Sequence, residues 1–292
     1  MHEPHDAVAG HYDHLDRFYR QLWGEHVHHG LWTDTSASST EAVQELVHQV
    51  AHSARIEDGT RVCDIGCGYG APARLWAAAY GAHVTGFTVS EAQATFARQQ
   101  PVDGPVPEYR LQDFLENDLP DASMDAAVAV ESLTHIHPPS DVFTEVARIL
   151  RPGGRFVACV WMASPSPPQW ARRYLLDPIQ TEGRLSILPT DARLRHWAAR
   201  AGLTIEHLDD VTPLVRRTWS IVLQRFLRAV FTDPAVLRTL LDSSESERVF
   251  ARTLIRIWIA QWMGVLRYGW LVARKPQSSR NHRVEPLVRR LQ

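Results

Sequence analysis

The chain has 292 residues, 45% of them hydrophobic and 22% charged, with a formal net charge of −2. This supplies enough apolar material for one large domain or a domain with a sizeable insertion, and the near-neutral balance leaves no electrostatic footprint for nucleic acid. No apolar run reaches membrane-spanning length, the N-terminus lacks the apolar core of a signal peptide, and Cys63, Cys67 and Cys159 cannot all pair internally, which reads as reduced thiols in a cytoplasmic protein.

The spacing of Tyr12, Leu15, Phe18, Tyr19 and Leu22 predicts a helix over 11–23. Thr40 is the expected cap of a second helix over 41–54, whose Val43, Leu46, Val47 and Val50 share one face. Strands and helices then alternate. Strands are expected at 61–65, 82–87, 108–111, 124–130 and 155–161, with helices at 71–80, 91–100 and 140–150. Such alternation predicts a doubly wound, mainly parallel α/β sheet. Beyond Trp161 the pattern changes. A Ser/Pro linker at 164–168 leads to an aromatic- and arginine-rich helix over 169–181. A helix from Pro189, a strand at 203–208, two long amphipathic helices at 213–231 and 246–263, and a last strand at 265–273 follow.

The stretch V-C-D-I-G-C-G-Y-G, Val62 to Gly70, joins a strand to a helix through alternating glycines, a nucleotide cradle. Gly66, Gly68 and Ala71 also satisfy the G-x-G-x-x-G/A pattern of NAD-binding proteins, so the loop alone does not choose its nucleotide. Two observations do. A dinucleotide fold wants an acid at the end of the second strand, and G-F-T-V-S carries none. Asp64, two residues before the first glycine, would repel a pyrophosphate, whereas the ammonium of a methionine moiety suits a buried carboxylate.

V-C-D-I-G-C-G-Y-G resembles motif I of the class I S-adenosylmethionine (SAM) methyltransferases. The resemblance continues in the expected order through V-T-G-F-T-V-S-E-A-Q, L-Q-D-F, E-S-L-T-H and L-R-P-G-G-R-F, from Arg61 to Trp161. Y-D-H-L-D-R-F-Y ahead of H-V-H-H-G-L-W is similar to the entrance of the gamma-tocopherol, sterol and sugar (rebeccamycin-type) O-methyltransferases. G-F-T-V-S-E-A-Q also resembles the mycolic-acid cyclopropane synthases, in which Thr and Gln replace the ribose acid. The resemblance implies a seven-stranded, Rossmann-like sheet with N-terminal helices and an inserted helical lid. The expected organisation is a cap over 1–54, a SAM-binding core over 55–163, a lid insertion over 164–189, the end of the sheet with further lid helices over 190–275, and a flexible tail over 276–292.

Carried over by position, Asp64, Gly66, Cys67 and Gly68 hold the methionine end of SAM, with Tyr12 and Val130 beside it. Thr88 and Gln93 lie near the ribose, Asp113 takes the adenine amino group, and Phe114 flanks the ring. Helix capping explains Thr88 and Gln93 equally well. His135, just after the fourth strand, is the expected base, since a histidine titrates near working pH, and Glu131 supports it. Tyr12 with His28, His29 and Trp32 forms a flap, and Trp161, Trp170 and Trp219 line the acceptor pocket. No metal is expected at His26, His28 and His29, because neighbours in an extended segment point to opposite faces.

The function implied is methyl transfer from SAM to an oxygen or carbon of a small, largely apolar metabolite: aromatic, isoprenoid or glycosylated. Neither nucleic acid nor membrane is an expected partner; a homo-oligomer is compatible. One competing reading is a prenyl-diphosphate C-methyltransferase, which needs Arg172, Arg173, Arg216 or Arg217 inside the pocket. A second is a SAM-binding protein with lost or repurposed chemistry.

Overall fold

The computed structural model describes residues 27–34, 36–232 and 245–277. The predicted helix over 11–23, with Tyr12, as well as His26 and nearly all of the tail, lie outside the described residues.

The first described helix, α1 (Ser39–Ala54), is capped by Ser38 rather than by Thr40. Glu41 stands three residues after Ser38. The Ser38 hydroxyl accepts from the Glu41 N–H (3.2 Å) and the Glu41 carboxylate accepts from the Ser38 N–H (2.7 Å). Two otherwise orphaned donors are satisfied reciprocally, which a cap at Thr40 could not achieve.

The alternating elements follow closely: β1 (Arg61–Ile65), α2 (Ala71–Tyr80), β2 (His83–Thr88), α3 (Glu91–Gln99), β3 (Glu108–Leu111), β4 (Met124–Val130), α4 (Pro139–Ile149) and β5 (Leu150–Ala163). Then come the helical run α5 (169–182), α6 (Asp191–Arg200), β6 (Thr204–Asp210), α7 (Thr212–Val215), α8 (Arg217–Thr232), α9 (Glu245–Trp262) and β7 (Leu266–Arg274). The sheet order is β3-β2-β1-β4-β5-β7-β6, with β7 antiparallel to both neighbours and every other pair parallel. The strand order reverses between β1 and β4, so the crevice at their carboxyl ends is the switch point where such sheets bind ligands.

Two helices depart from the expected single rods. In α5, Arg172–Leu176 is a π turn. Pro178 has no N–H to return to the carbonyl four residues earlier, and the wider turn accommodates that gap. The rod expected at 213–231 breaks after Val215, where the Leu214 carbonyl accepts the N–H of Trp32 (2.8 Å). That carbonyl is taken by the entry segment instead of the helix ladder.

Each face of the sheet carries its own core. Leu46, Val50, Trp76, Val128 and Tyr268 pack on one side, and Ile65, Phe143, Phe156, Ile149 and Leu271 on the other. A third cluster, including Leu175, Ile179, Trp219, Leu254 and Ile257, joins α5, α8 and α9 into a lid. β6 runs parallel to β5, and β7 starts opposite the end of β5, pairing Leu266 with Ala163. Both helical insertions therefore leave from strand carboxyl ends, placing the lid on the switch-point side. Among the described residues no helix is long and apolar enough to cross a membrane.

Candidate active site

The glycine turn is shaped by three left-handed residues, Gly66 (φ 73°), Gly68 (φ 55°) and Gly70 (φ 74°). They do different work. A Cβ on Gly66 would collide with Ser132, whose hydroxyl donates to the Ile65 carbonyl and so ties the end of β4 to the end of β1. At Gly68 nothing lies within 4 Å of where a Cβ would sit, the open floor a close-lying ligand requires. Cys67 packs under Gly86 and donates its N–H to the Phe87 carbonyl (2.8 Å), tying the turn to the end of β2.

Asp64 ends up as the sequence implied, buried beside this turn at 2% exposure. Its Oδ2 has no hydrogen-bond partner, and burial pushes the carboxyl up to about 7. An unpartnered buried carboxylate is costly until a cation or donor meets it. The ammonium of SAM fits that requirement, and the open floor at Gly68 fits its chain. SAM brings a methyl group already activated on a sulfonium.

Thr88 and Gln93 are both buried. The Thr88 hydroxyl donates to Gln93 Oε1 (2.8 Å) and accepts from the Ser90 N–H (3.2 Å), while Ser90 caps α3 through the Gln93 N–H. Gln93 thus takes part in the capping network through both its N–H and its side-chain oxygen. Asp113 caps the short 3₁₀ turn Phe114–Glu116 through the Leu115 N–H (3.0 Å), and Phe114 is buried edge-on to Phe87 (5.7 Å between centroids). Val130 is half-buried at the end of β4.

The residue after β4 is the centre of the site. Glu131 adopts φ 59°, a left-handed conformation uncommon for a side-chain-bearing residue and characteristic of functional positions. Its Oε1 accepts from the His29 N–H (2.7 Å), the His29 ring (2.9 Å) and the Tyr268 hydroxyl (2.8 Å), and its Oε2 from the Trp161 indole (3.1 Å). Burial works to raise the Glu131 pKa, but the donors that meet it, the His29 ring and backbone N–H first among them, outweigh it and hold the carboxyl below the usual carboxylate range. Behind His29 stand the Trp219 indole, 2.6 Å from Nε2, and the Gln261 amide at 3.2 Å. His28 bonds the His29 carbonyl through Nδ1 (2.9 Å), and burial lowers its pKa against the pull of Glu131.

The structure therefore gathers Glu131, His28, His29, Trp161 and Trp219 into one cluster, with Trp32 close by. The Trp32 indole and the Gly30 N–H both donate to Thr218 Oγ1 at 3.0 Å. His135 sits in the 3₁₀ turn Leu133–His135 that follows, half-buried, its N–H returned to the Ser132 carbonyl (3.0 Å). Trp170 stands apart, 49% exposed at the start of α5, rather than with the other tryptophans. The first turn of α5 turns Ala171 inward and Trp170 outward. Three members were not anticipated: Tyr268, Gln261 and Thr218. Tyr268 reads as one more apolar strand residue, and only the parity of β7 against Trp161, its register partner on β5, marks it as facing the site. Among the described residues no group of three or more His, Cys, Asp or Glu side chains could hold a metal.

A seven-stranded sheet with this strand order, a glycine turn at its switch point and a buried, unpartnered acid beside it define a Rossmann-like, nucleotide-binding class of core. Residues 63–158 match the family model described as "Methyltransferase domain". The chain is 34% identical over 226 residues to the 27-O-demethylrifamycin SV methyltransferase of Amycolatopsis mediterranei (strain S699), covering 76% of this chain and 82% of that protein. Two solved structures share the fold. A mycolic acid cyclopropane synthase complexed with SAH and CTAB has a TM-score of 0.82 at 19% identity, covering 93% of this chain and 98% of that one. The [4+2]-cyclase SpnF has a TM-score of 0.75 at 24% identity, covering 94% and 97%. The chain belongs to the SAM-dependent methyltransferase family, and S-adenosylmethionine is its cofactor.

Proposed function

We propose that this methyltransferase acts in the cytoplasm on a hydroxyl oxygen of a small, largely apolar natural product. The observation that carries this reading is the Glu131 cluster. Its carboxylate is ionised and saturated with donors at the carboxyl end of β4, and it is walled by Trp161, Trp219 and Tyr268 under the lid. Such a wall favours apolar acceptors and keeps water from competing for the methyl group. A permanent negative charge there repels anionic acceptors and favours one whose oxygen gains positive character as the methyl arrives. His135, in the turn beyond, is the base in this reading, taking the hydroxyl proton, while the cradle aligns the sulfonium methyl. The relative named as a 27-O-demethylrifamycin SV methyltransferase supports an oxygen acceptor.

The prenyl-diphosphate alternative fares less well. Arg216 lies over the Trp262 ring (4.0 Å) and Arg217 over Trp32 (4.4 Å), while Arg172 and Arg173 are exposed. The neighbour named as a [4+2]-cyclase is a specific reason to keep repurposed chemistry in view. Labelled SAM separates these readings when incubated with 27-O-demethylrifamycin SV, a panel of apolar phenols and alcohols, and geranyl diphosphate. Label in an apolar hydroxyl acceptor supports the proposal. Label in geranyl diphosphate alone, or in no acceptor despite tight SAM binding, overturns it.

A further inference from the structure

His29 bridges two bodies. On one side its Nδ1 meets the Glu131 carboxylate at the end of β4 (2.9 Å); on the other its Nε2 meets Trp219 of α8 (2.6 Å) and Gln261 of α9 (3.2 Å). An indole N–H can only donate, so Nε2 must offer a lone pair. The single ring proton is then on Nδ1, directed at a carboxylate that only accepts. A protonated ring would set a second N–H against the Trp219 N–H, and the Nε2–H tautomer would leave the Nδ1 lone pair facing Glu131. The hydrogen bonds therefore select one state of the ring, neutral with the proton on Nδ1.

The connection reaches the cofactor cradle without a gap. Glu131 is followed by Ser132, which bonds the Ile65 carbonyl and fills the space over Gly66. On the lid side, the Trp258 indole donates to Ser220 (3.1 Å), joining α9 to α8. We propose that His29 is a positioning residue. As the neutral Nδ1–H tautomer it locks the lid helices α8 and α9 to Glu131, and through Ser132 to the glycine turn, so that the acceptor wall and the sulfonium cradle hold a fixed relation. It exchanges no proton with substrate. The proposal rests on membership of the methyltransferase family and not on the identity of the acceptor.

Two substitutions divide the ring's functions. His29→Asn keeps a donor for Glu131 but no acceptor for the lid; His29→Gln keeps an amide oxygen for Trp219 but is too long to keep the Glu131 bond. The first measurement needs no variant to be active. The full chain with SAH bound, carrying ring-15N histidine, gives long-range 1H–15N correlations, and His29 is assigned as the ring lost in either variant. The expected signature is a protonated Nδ1 and a bare Nε2; a proton on Nε2 overturns the proposal. The second measurement is amide exchange along α8 and α9. In His29→Asn it should rise roughly tenfold around Trp219 and Gln261, while His29→Gln stays near wild type and SAH affinity stays within about threefold in both. Unchanged exchange in His29→Asn, or equal losses in both variants, overturns the lock. With an acceptor in hand, His29→Asn should lower kcat about tenfold at unchanged KM for SAM, a split that general destabilisation would not produce.

Discussion

Asp64→Asn offers the sharpest test of the cradle, because it should strengthen the fold while weakening the function. In the cofactor-free protein burial raises the Asp64 carboxyl from 3.8 to about 7. The sign follows from linkage. Below pH 4 the carboxyl is protonated in both folded and unfolded chains, and no stability is lost. As pH rises from 4 to 7 the unfolded chain ionises while the folded one resists, so stability falls, and the loss levels off above 7. About three pKa units at 1.36 kcal/mol each amount to about 4 kcal/mol. Asparagine removes that penalty and leaves a neutral amide whose imperfect pairing costs about 1–3 kcal/mol. The cofactor-free variant should therefore be more stable at pH 8 by about 1–3 kcal/mol, raising Tm by about 2–10 °C. At pH 5 the advantage should vanish or reverse. SAH affinity should move the other way, falling by about 30- to 1000-fold, the worth of a dry carboxylate–ammonium contact of about 2–4 kcal/mol. Wild-type protein should also release a proton on binding SAH at pH 6, visible when calorimetry is repeated in buffers of different ionisation heat. A variant that melts lower than wild type at pH 8 and still binds SAH normally would refute the reasoning.

Three further outcomes follow from the same geometry. Glu131→Gln should cost about 1–3 kcal/mol at pH 7, because a neutral amide cannot accept from all of the His29, Tyr268 and Trp161 donors; the carboxyl is held below its ordinary value of 4.5, so this stability is present above that pH and lost as pH falls below it, and denaturant titrations of variant and wild type should converge in acid. His135→Ala should leave SAM affinity within a few fold and lower labelled-SAM turnover by about 100-fold or more, and wild-type turnover with a lowered Tm would make it structural instead. Gly68→Ala should fold with a strain penalty of about 1–2 kcal/mol at its left-handed φ yet bind SAH at least tenfold more weakly, since the side chain enters the open floor; unchanged calorimetric affinity would place the ligand elsewhere.

The core was legible because its signals are local. The run Val62 to Ile65, the glycines and the apolar pattern of Met124 to Val130 each report a strand or turn through their own neighbours, and β1, β3 and β4 match their expected bounds. The cap at Ser38 was hidden because Thr40 and Ser38 are both acceptable cap residues and only the reach of Glu41 decides between them. The break after Val215 was invisible for a deeper reason. It depends on Trp32, nearly two hundred residues earlier, taking the Leu214 carbonyl, and no window along the chain contains both. Likewise Glu131 reads as a helper to His135 in the stretch E-S-L-T-H. Its place at the centre comes from Trp161 and Tyr268, which sheet register pairs, and from His29, which arrives on the entry segment ahead of the first described helix.

The two carboxylates of the site differ in how their charge is met. Glu131 and Asp64 stand at the carboxyl ends of adjacent strands, yet their pKa values are driven apart, the first below the usual carboxylate range by its donors and the second up to about 7 by burial. Glu131 finds its donors within the protein, so its charge is permanent and its geometry is set before any ligand arrives. Asp64 has an oxygen with no protein partner, so its charge is completed only by what binds. Groups pushed apart in this way have separate assignments. In the proposed reading the acid that the fold satisfies organises the acceptor wall, and the acid it leaves unsatisfied selects a cationic ligand. Exchanging their surroundings would disable both: a satisfied Asp64 would lose its preference for an ammonium, and an unsatisfied Glu131 would take up a proton and release His29, Tyr268 and Trp161 from their common anchor.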